Sequence, residues 1–327
     1  AGAFNRRIDL ALRPDCQPAR AVELTLSPDG RRGLVPFSGC MAIFDPDGVA
    51  PVRFIDGIPN SGFAAFISLD SATGLAYLGG GGQETSGFTI IDTRTETVVG
   101  TRDVGVGMAS VQVVGGRIFA GEACTNGRVF VYDKGNLAEV GRIAVGATFQ
   151  GGTCPNTIFF AVTANDSAGW AATTYSGVVL FDARSLANVG VIDVRDPPGD
   201  GNPGGAGRLL LLQDRWLYMD RIREGLDEYD VSTGQRTASF QNFGGLQPAI
   251  KGIAFAPDRR QLFASADAGG AANVRAPFLF RVPGLALRYA FPPQPGHVPG
   301  GVAAHPDGRR YFVTSGIGVD VFLVRPE

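Results

Sequence analysis

The sequence predicts an all-β fold: a single seven-bladed β-propeller with four-stranded blades, spanning residues 1–327. Three observations predict it. An apolar strand that runs into an aspartate recurs along the whole chain. A hairpin turn precedes each copy, and a second β-rich run follows it. Glycine (47) and proline (21) are abundant, and no long run carries a helical period.

The units can be taken in order. "LSPDGRRGLVPF" is a hairpin leading to "MAIFD", which ends at Asp45. "LDSATGLAYLG" leads to "FTIID" at Asp92, and "VVGGRIFAG" leads to "VFVYD" at Asp133. "VVLFD" ends at Asp182 and "LDEYD" at Asp230. "FAPDRRQLFAS" leads to "PFLFR", which puts Arg281 where the aspartate stood, and "HPDGRRYFVTS" leads to "VDVFLV". From Asp45 to Arg281 the copies are spaced 41 to 51 residues apart, enough for four short strands each, the size of a propeller blade. The aspartate suits a turn, because its carboxylate accepts backbone N–H groups two or three residues on.

The seventh unit supplies three strands, Gly301 to Val324. The run "FNRRIDLAL", Phe4 to Leu12, precedes the first strand of unit one and is expected to add the fourth. That pairing would close the ring and cover a sheet edge that would otherwise be open to other chains.

The formal net charge of -2 gives no field to gather nucleic acid or an anionic membrane. No stretch reaches the roughly 18 apolar residues of a membrane span, and "AGAF" is what cleavage after a small-residue site leaves. The cysteines Cys16, Cys40, Cys124 and Cys154 match no zinc spacing and allow three pairings. Antiparallel strands bring Cys16 near Cys40 and Cys124 near Cys154, whereas other pairings would join separate blades. Bridged, they place the protein in the periplasm or outside the cell. Four reduced thiols in a cytosolic protein are the alternative.

Because strands alternate in direction, the "SPDG" and aspartate turns share one face, which is short and regular. The loops between second and third strands share the other face with the connections between blades. That irregular face is the place to seek a site. Its polar residues include Glu84, Glu122, Asn126, Asn156, Tyr175, Arg221, Arg223, Glu224, Lys251, Asp267, Arg275 and His297. Arg221, Arg223, Asn156, Asp267 and Lys251 are the candidates for binding an anionic or zwitterionic small ligand. The candidates for acid–base catalysis are His297, Glu122, Glu84 and Tyr175. Gly79 to Gly82 and "GDGNPGGAG" precede no helix and carry no Walker lysine, so they read as rim loops.

The segments "LSPDGRRGLV", "FTIIDTRTETVVGTRDVG" and "HPDGRRYFVT" resemble the YVTN-type propeller repeat. That resemblance spans the chain and implies architecture more than activity. "CPNTIFFAV" is similar to a strand of the gluconolactonase-like propellers, which implies a divalent cation such as Ca2+ in the central channel, with Asn156 and Glu23 among its ligands. The glutamate context of that family is absent from "ARAVELTL". Virginiamycin-lyase-like propellers imply a histidine paired with a glutamate, a role open here to His297; His305 sits in a turn on the regular face. The heavy subunits of amine dehydrogenases imply a small redox partner packed on the ring. The expected function is binding of a small polar ligand or a protein partner on the irregular face. The alternatives are a lactonase- or lyase-type enzyme and a non-cofactor subunit of an oxidoreductase.

Overall fold

The computed structural model describes residues 2–11, 13–14, 16, 23–37, 39–58, 66–80, 87–123, 127–145, 159–162, 169–173, 177–192, 194, 206–221, 225–243, 248–267, 276–292, 299–316 and 318–325. These residues form 28 strands and no helix. The chain enters through β1 (Gly2–Asp9) and then lays down four-stranded antiparallel sheets in succession.

The first sheet holds β2 (Thr25–Leu26), β3 (Gly33–Pro36), β4 (Cys40–Phe44) and β5 (Arg53–Asp56). The second holds β6 (Phe66–Asp70), β7 (Leu75–Gly79), β8 (Phe88–Asp92) and β9 (Thr97–Arg102). The third is β10 (Met108–Val114), β11 (Arg117–Glu122), β12 (Arg128–Asp133) and β13 (Glu139–Ala144). The fourth is β14 (Phe159–Val162), β15 (Gly169–Thr173), β16 (Gly177–Phe181) and β17 (Asn188–Ile192). The fifth comprises β18 (Ala206–Leu212), β19 (Trp216–Arg221), β20 (Gly225–Asp230) and β21 (Gln235–Phe240). The sixth comprises β22 (Ala249–Phe255), β23 (Gln261–Asp267), β24 (Pro277–Arg281) and β25 (Ala286–Ala290).

A seventh sheet has the order β1-β28-β27-β26, built from β26 (Pro299–Ala304), β27 (Arg310–Ser315), β28 (Gly318–Val324) and the first strand of the chain. β1 runs antiparallel to β28, with Gly2 opposite Val324 and Asp9 opposite Gly318. The first strand therefore ends before the expected Leu12. Asp9 Oδ1 accepts the Ala11 N–H at 2.9 Å, and Ala11 turns to φ 46°, which ends the extended backbone there.

Each sheet packs on the next through its innermost strand. β2 touches β6, β10 touches β6 and β14, β18 touches β14 and β22, and β26 touches β22 and β2. The core lies between neighbouring sheets. One cluster joins Ile8, Leu10, Phe312, Val319 and Val321 to Leu24, Val35, Phe37, Ala42 and Phe44. Close packing there depends on cross-strand glycines. A Cβ on Gly33 would lie 2.0 Å from the ring of Phe44, its partner on β4, so only glycine leaves room for that ring.

The repeated aspartates do the work their turns require. Asp45 accepts the N–H groups of Asp47, Val49 and Ala50 at 2.8 to 3.1 Å. Asp92 accepts from Arg94, Asp133 from Gly135, Asp182 from Arg184 and Asp230 from Ser232, each at 2.8 or 2.9 Å. The two "PDGRR" hairpins meet as the seventh sheet packs on the first. His305 is buried and its Nε2 lies 3.0 Å from the Gly30 carbonyl oxygen, while Arg310 pairs with Asp47 at 2.5 Å. Arg7 on β1 donates two hydrogen bonds, at 2.6 and 3.1 Å, to the fully buried Asp320 on β28. Cys16 is disulfide-bonded to Cys40, and Cys124 and Cys154 lie outside the described residues.

Candidate functional site

The innermost strands β2, β6, β10, β14, β18, β22 and β26 line the central channel. Each starts at the irregular face and ends at the regular one. Neighbouring strands are stitched by side chains where backbone ladders do not reach. Gln112 donates to the Val162 carbonyl and accepts from the Val162 N–H, at 3.2 and 3.1 Å. Ser68 Oγ accepts the Val113 N–H at 3.1 Å, and Ser265 Oγ donates to Gly300 O at 2.6 Å.

Near the irregular face, four charged residues converge on this channel. β18 carries a bulge between Ala206 and Leu209 where it pairs with β19. A bulge re-aims the side chains within it, and Arg208 lies in this one. Its guanidinium donates to Glu23 Oε1 at 3.0 Å, just ahead of β2, and stands over the Phe66 ring of β6 at 5.2 Å. A Cβ on Gly252 of β22 would come within 2.8 Å of Arg208 Nη1. One side chain from the fifth sheet thus meets the sixth, first and second, so it reaches across the channel. Glycine clears its path at Gly252. Gly301 does the same for Glu23, since a Cβ there would lie 2.6 Å from the Glu23 Cα.

Asp220, on β19, is the second member from the fifth sheet. Its Oδ1 accepts the Arg208 backbone N–H at 2.6 Å, which holds the bulge in shape. Burial pushes the Asp220 carboxyl up to about 7. The positive charges of Arg208 and Lys251 and the Arg208 N–H oppose that rise, and the negative charge of Glu23 adds to it. Burial also pushes the Glu23 carboxyl up, against the pull of Arg208. Lys251, on β22, keeps an exposed side chain beside a bulge between Ile250 and Gly252.

Glu23, Phe66, Ser110, Phe160, Arg208 and Ile253 line a cavity of about 200 Å3. A larger space of about 630 Å3 lies further toward the regular face, with Asp70, Asp214 and Arg259 at its wall. Gln112, Leu209 and Leu210 line both, so the two are stacked along the channel.

Of the residues singled out in the sequence, the structure brings together Glu23 and Lys251. Asp267 ends β23 opposite Ala249, on the same rim. Arg221 ends β19 opposite Ala206 and Gly225; only its backbone is described. Glu122 ends β11 fully buried, and its two oxygens receive the Arg128 N–H at 3.1 Å and guanidinium at 3.0 and 2.6 Å. That arrangement braces the loop between β11 and β12. Glu84, Asn126, Asn156, Tyr175, Arg223, Glu224, Arg275 and His297 lie outside the described residues.

Glu23 does not suit a divalent cation in this arrangement. A hard cation needs about six oxygen ligands. The position facing the Glu23 carboxylate holds a guanidinium, and no cluster of three His, Cys, Asp or Glu residues suited to a metal occurs among the described residues.

Arg208 and Asp220 escaped the sequence reading although each carries a signal. Arg208 is the one charge opening the apolar run "RLLLL", and Asp220 is a lone acid inside "WLYMDR". A charge set beside an apolar run within a strand points into a lined channel or a paired core.

No family model matches the chain, and no curated protein matches it in sequence. Solved structures share its fold. The β-propeller domain of Myceliophteria thermophila Cps50 (Swd1) is 12% identical with a TM-score of 0.75, over 99% of this chain and 100% of that one. A chain of the Kuenenia stuttgartiensis hydrazine synthase is 13% identical with a TM-score of 0.74, covering 97% and 98%. A chain of the Mitotic Checkpoint Complex is 14% identical with a TM-score of 0.75, covering 99% and 92%. At these identities the likeness establishes an all-β propeller with four-stranded blades and says nothing of activity.

Proposed function

We propose that the chain is a binding propeller that takes a small polar ligand with an anionic group at the irregular-face end of its channel. The observation that carries this reading is the Arg208 guanidinium, held across the channel by Glu23 and Phe66 with Lys251 nearby. Fixed in this way, Arg208 loses little freedom when a carboxylate or phosphate docks, and its planar fork matches such groups. Lys251, exposed at the same end, adds a second cation. Arg221, Arg223, Asn156 and Asp267 are proposed to complete the rim.

The test is calorimetric titration of the purified protein with a panel of small carboxylates and amino acids, repeated with Lys251→Gln. Lys251 is exposed, so that variant should fold as the parent does. Binding that weakens about tenfold or more supports the reading. A bound ligand whose affinity ignores both Lys251→Gln and Arg208→Met overturns it.

We further propose that the protein is exported, a reading supported by the Cys16–Cys40 bridge. Mass analysis of protein recovered from an oxidising compartment should then find Cys124 and Cys154 bridged as well. Four free thiols would remove this support.

A second reading, a lactonase- or lyase-type enzyme, draws on Asp220. A carboxyl whose burial pushes it up to about 7 beside a channel has the proton affinity of a general acid or base. Loss of turnover in Asp220→Asn, with ligand affinity retained, would favour it over simple binding. A protein partner on the loop-rich face is the wider form of the binding reading. The Mitotic Checkpoint Complex chain supports that form, since it shows the same fold inside an assembly.

A further inference from the structure

The opposite face carries a different feature. Between the sixth and seventh sheets, on the side of the regular turns, lies an open pocket of about 820 Å3. Five arginines line it. Arg260 comes from the hairpin between β22 and β23, Arg281 and Arg288 from either side of the turn between β24 and β25, Arg309 from the hairpin between β26 and β27, and Arg325 from just past β28.

Two acids, Asp258 and Asp307, share the lining. Asp307 accepts the Arg309 and Arg310 N–H groups at 2.8 and 3.1 Å and the Arg310 guanidinium at 2.7 Å. Asp258 accepts the Arg260 N–H at 2.9 Å. The volume lies within the ordinary range for small-molecule sites, yet the lining is dominated by guanidinium groups.

Arg281 adds a second, independent argument. Asp45, Asp92, Asp133, Asp182 and Asp230 hold this register position in other sheets, and each carboxylate caps the following turn. In the sixth sheet a carboxylate from the neighbouring sheet caps the turn, Glu228 accepting the Gly284 N–H at 2.6 Å, and the register position puts a cation at the pocket wall instead. A structural acid has been exchanged for a base at the one such turn that borders this pocket.

We propose that this pocket binds a small polyvalent anion carrying two or more phosphate groups. Several guanidinium forks from two sheets can each engage a different phosphate. An anion with a single phosphate can reach fewer of them at once. The reading is independent of the channel site, because no lining residue is shared.

Titration with inorganic tripolyphosphate tests it, against inorganic phosphate as the monovalent-site comparison. The proposal expects tripolyphosphate to bind at least tenfold more tightly than phosphate, with affinity falling as salt rises. Arg281→Asp places there the residue of the other repeats; it should weaken tripolyphosphate binding by more than tenfold in protein whose melting curve shows it folded. Arg325→Gln should weaken it several-fold, and Arg31→Gln, an exposed arginine in the first hairpin, should leave it unchanged. Equal loss in Arg31→Gln and Arg281→Asp would mean diffuse charge attraction and overturn the proposal. So would absence of tripolyphosphate binding, or binding indifferent to Arg281 and Arg325.

Discussion

Replacing Asp220 by asparagine isolates the energetic consequence of a buried acid at the channel. The ordinary carboxyl value is 3.8, and burial raises Asp220 to about 7. The gap is about 3 pH units, and at about 1.4 kcal/mol per unit ionising the group costs the folded state about 4 kcal/mol. Below about pH 4 both folded and unfolded chains hold the proton, and the group has no effect. Between about pH 4 and 7 the unfolded chain releases its proton while the folded chain keeps it, so stability falls as pH rises; above 7 the loss levels off. Asparagine keeps an oxygen for the Arg208 N–H and does not titrate. The variant should therefore match the parent near pH 4 and exceed it by about 4 kcal/mol at pH 8, a melting shift of roughly 6 °C for a chain of this size. Urea unfolding of both proteins at intervals from pH 4 to 9 measures the difference directly. Parallel pH curves, or a variant less stable than the parent at pH 8, would refute the assignment of Asp220 as a buried, net-destabilised acid.

Three further outcomes follow from the same contacts. Arg7→Ala removes the ion pair to the fully buried Asp320 carboxylate and should cost about 3–5 kcal/mol, read as a lower urea midpoint; a loss under 1 kcal/mol would mean that other partners or water satisfy Asp320. Glu23→Gln and Arg208→Met, alone and combined, should show a coupling of about 1–3 kcal/mol in a double-mutant cycle of unfolding free energies; additive losses would mean that the pair at 3.0 Å contributes nothing specific. The bridge between Cys16 and Cys40 closes a separation of 24 residues, so Cys40→Ser should lower stability by about 3 kcal/mol, whereas an unchanged melting temperature would show that the segment is held by other contacts.

The sequence carried the sheet structure well because that structure is local. Alternation of apolar residues marks a strand wherever one face is buried, and the aspartate turns that followed are those the backbone hydrogen bonds require. The Asp45 and Asp182 turns show it most plainly, since each carboxylate takes two or more N–H groups within five residues of itself. The pairing of β1 with β28 was open to the same logic, because a strand with no partner in its own unit has to find one elsewhere. The channel site was not legible in that way. Its members come from the first, second, fifth and sixth sheets, and nothing in their spacing ties Glu23 to Arg208. What aims Arg208 is a bulge in β18, and a bulge leaves no period in the sequence. Glu122 misled for the opposite reason. A glutamate on the rim suggests chemistry until its partner six residues on is seen to occupy both oxygens.

The position of Arg208 links architecture to binding. A ring of sheets leaves its innermost strands facing a channel that no backbone ladder spans, so the polar ends of those strands must find partners or water. Ser68, Gln112 and Ser265 settle this between neighbours. Arg208 settles it across the channel, fixing the fifth sheet to the first through Glu23 and resting on the second through Phe66. A buried pair of this kind contributes little net stability over apolar side chains of the same volume, because both charges are desolvated. Stability therefore does not account for placing two acids and two bases at one end of the channel. The proposed anion binding does, because a guanidinium whose position is set by the fold is a fixed point for an incoming anion. Because burial holds the Asp220 carboxyl at about 7, its ionised and neutral forms lie close in free energy near neutral pH, so a charge entering that end of the channel shifts its proton occupancy.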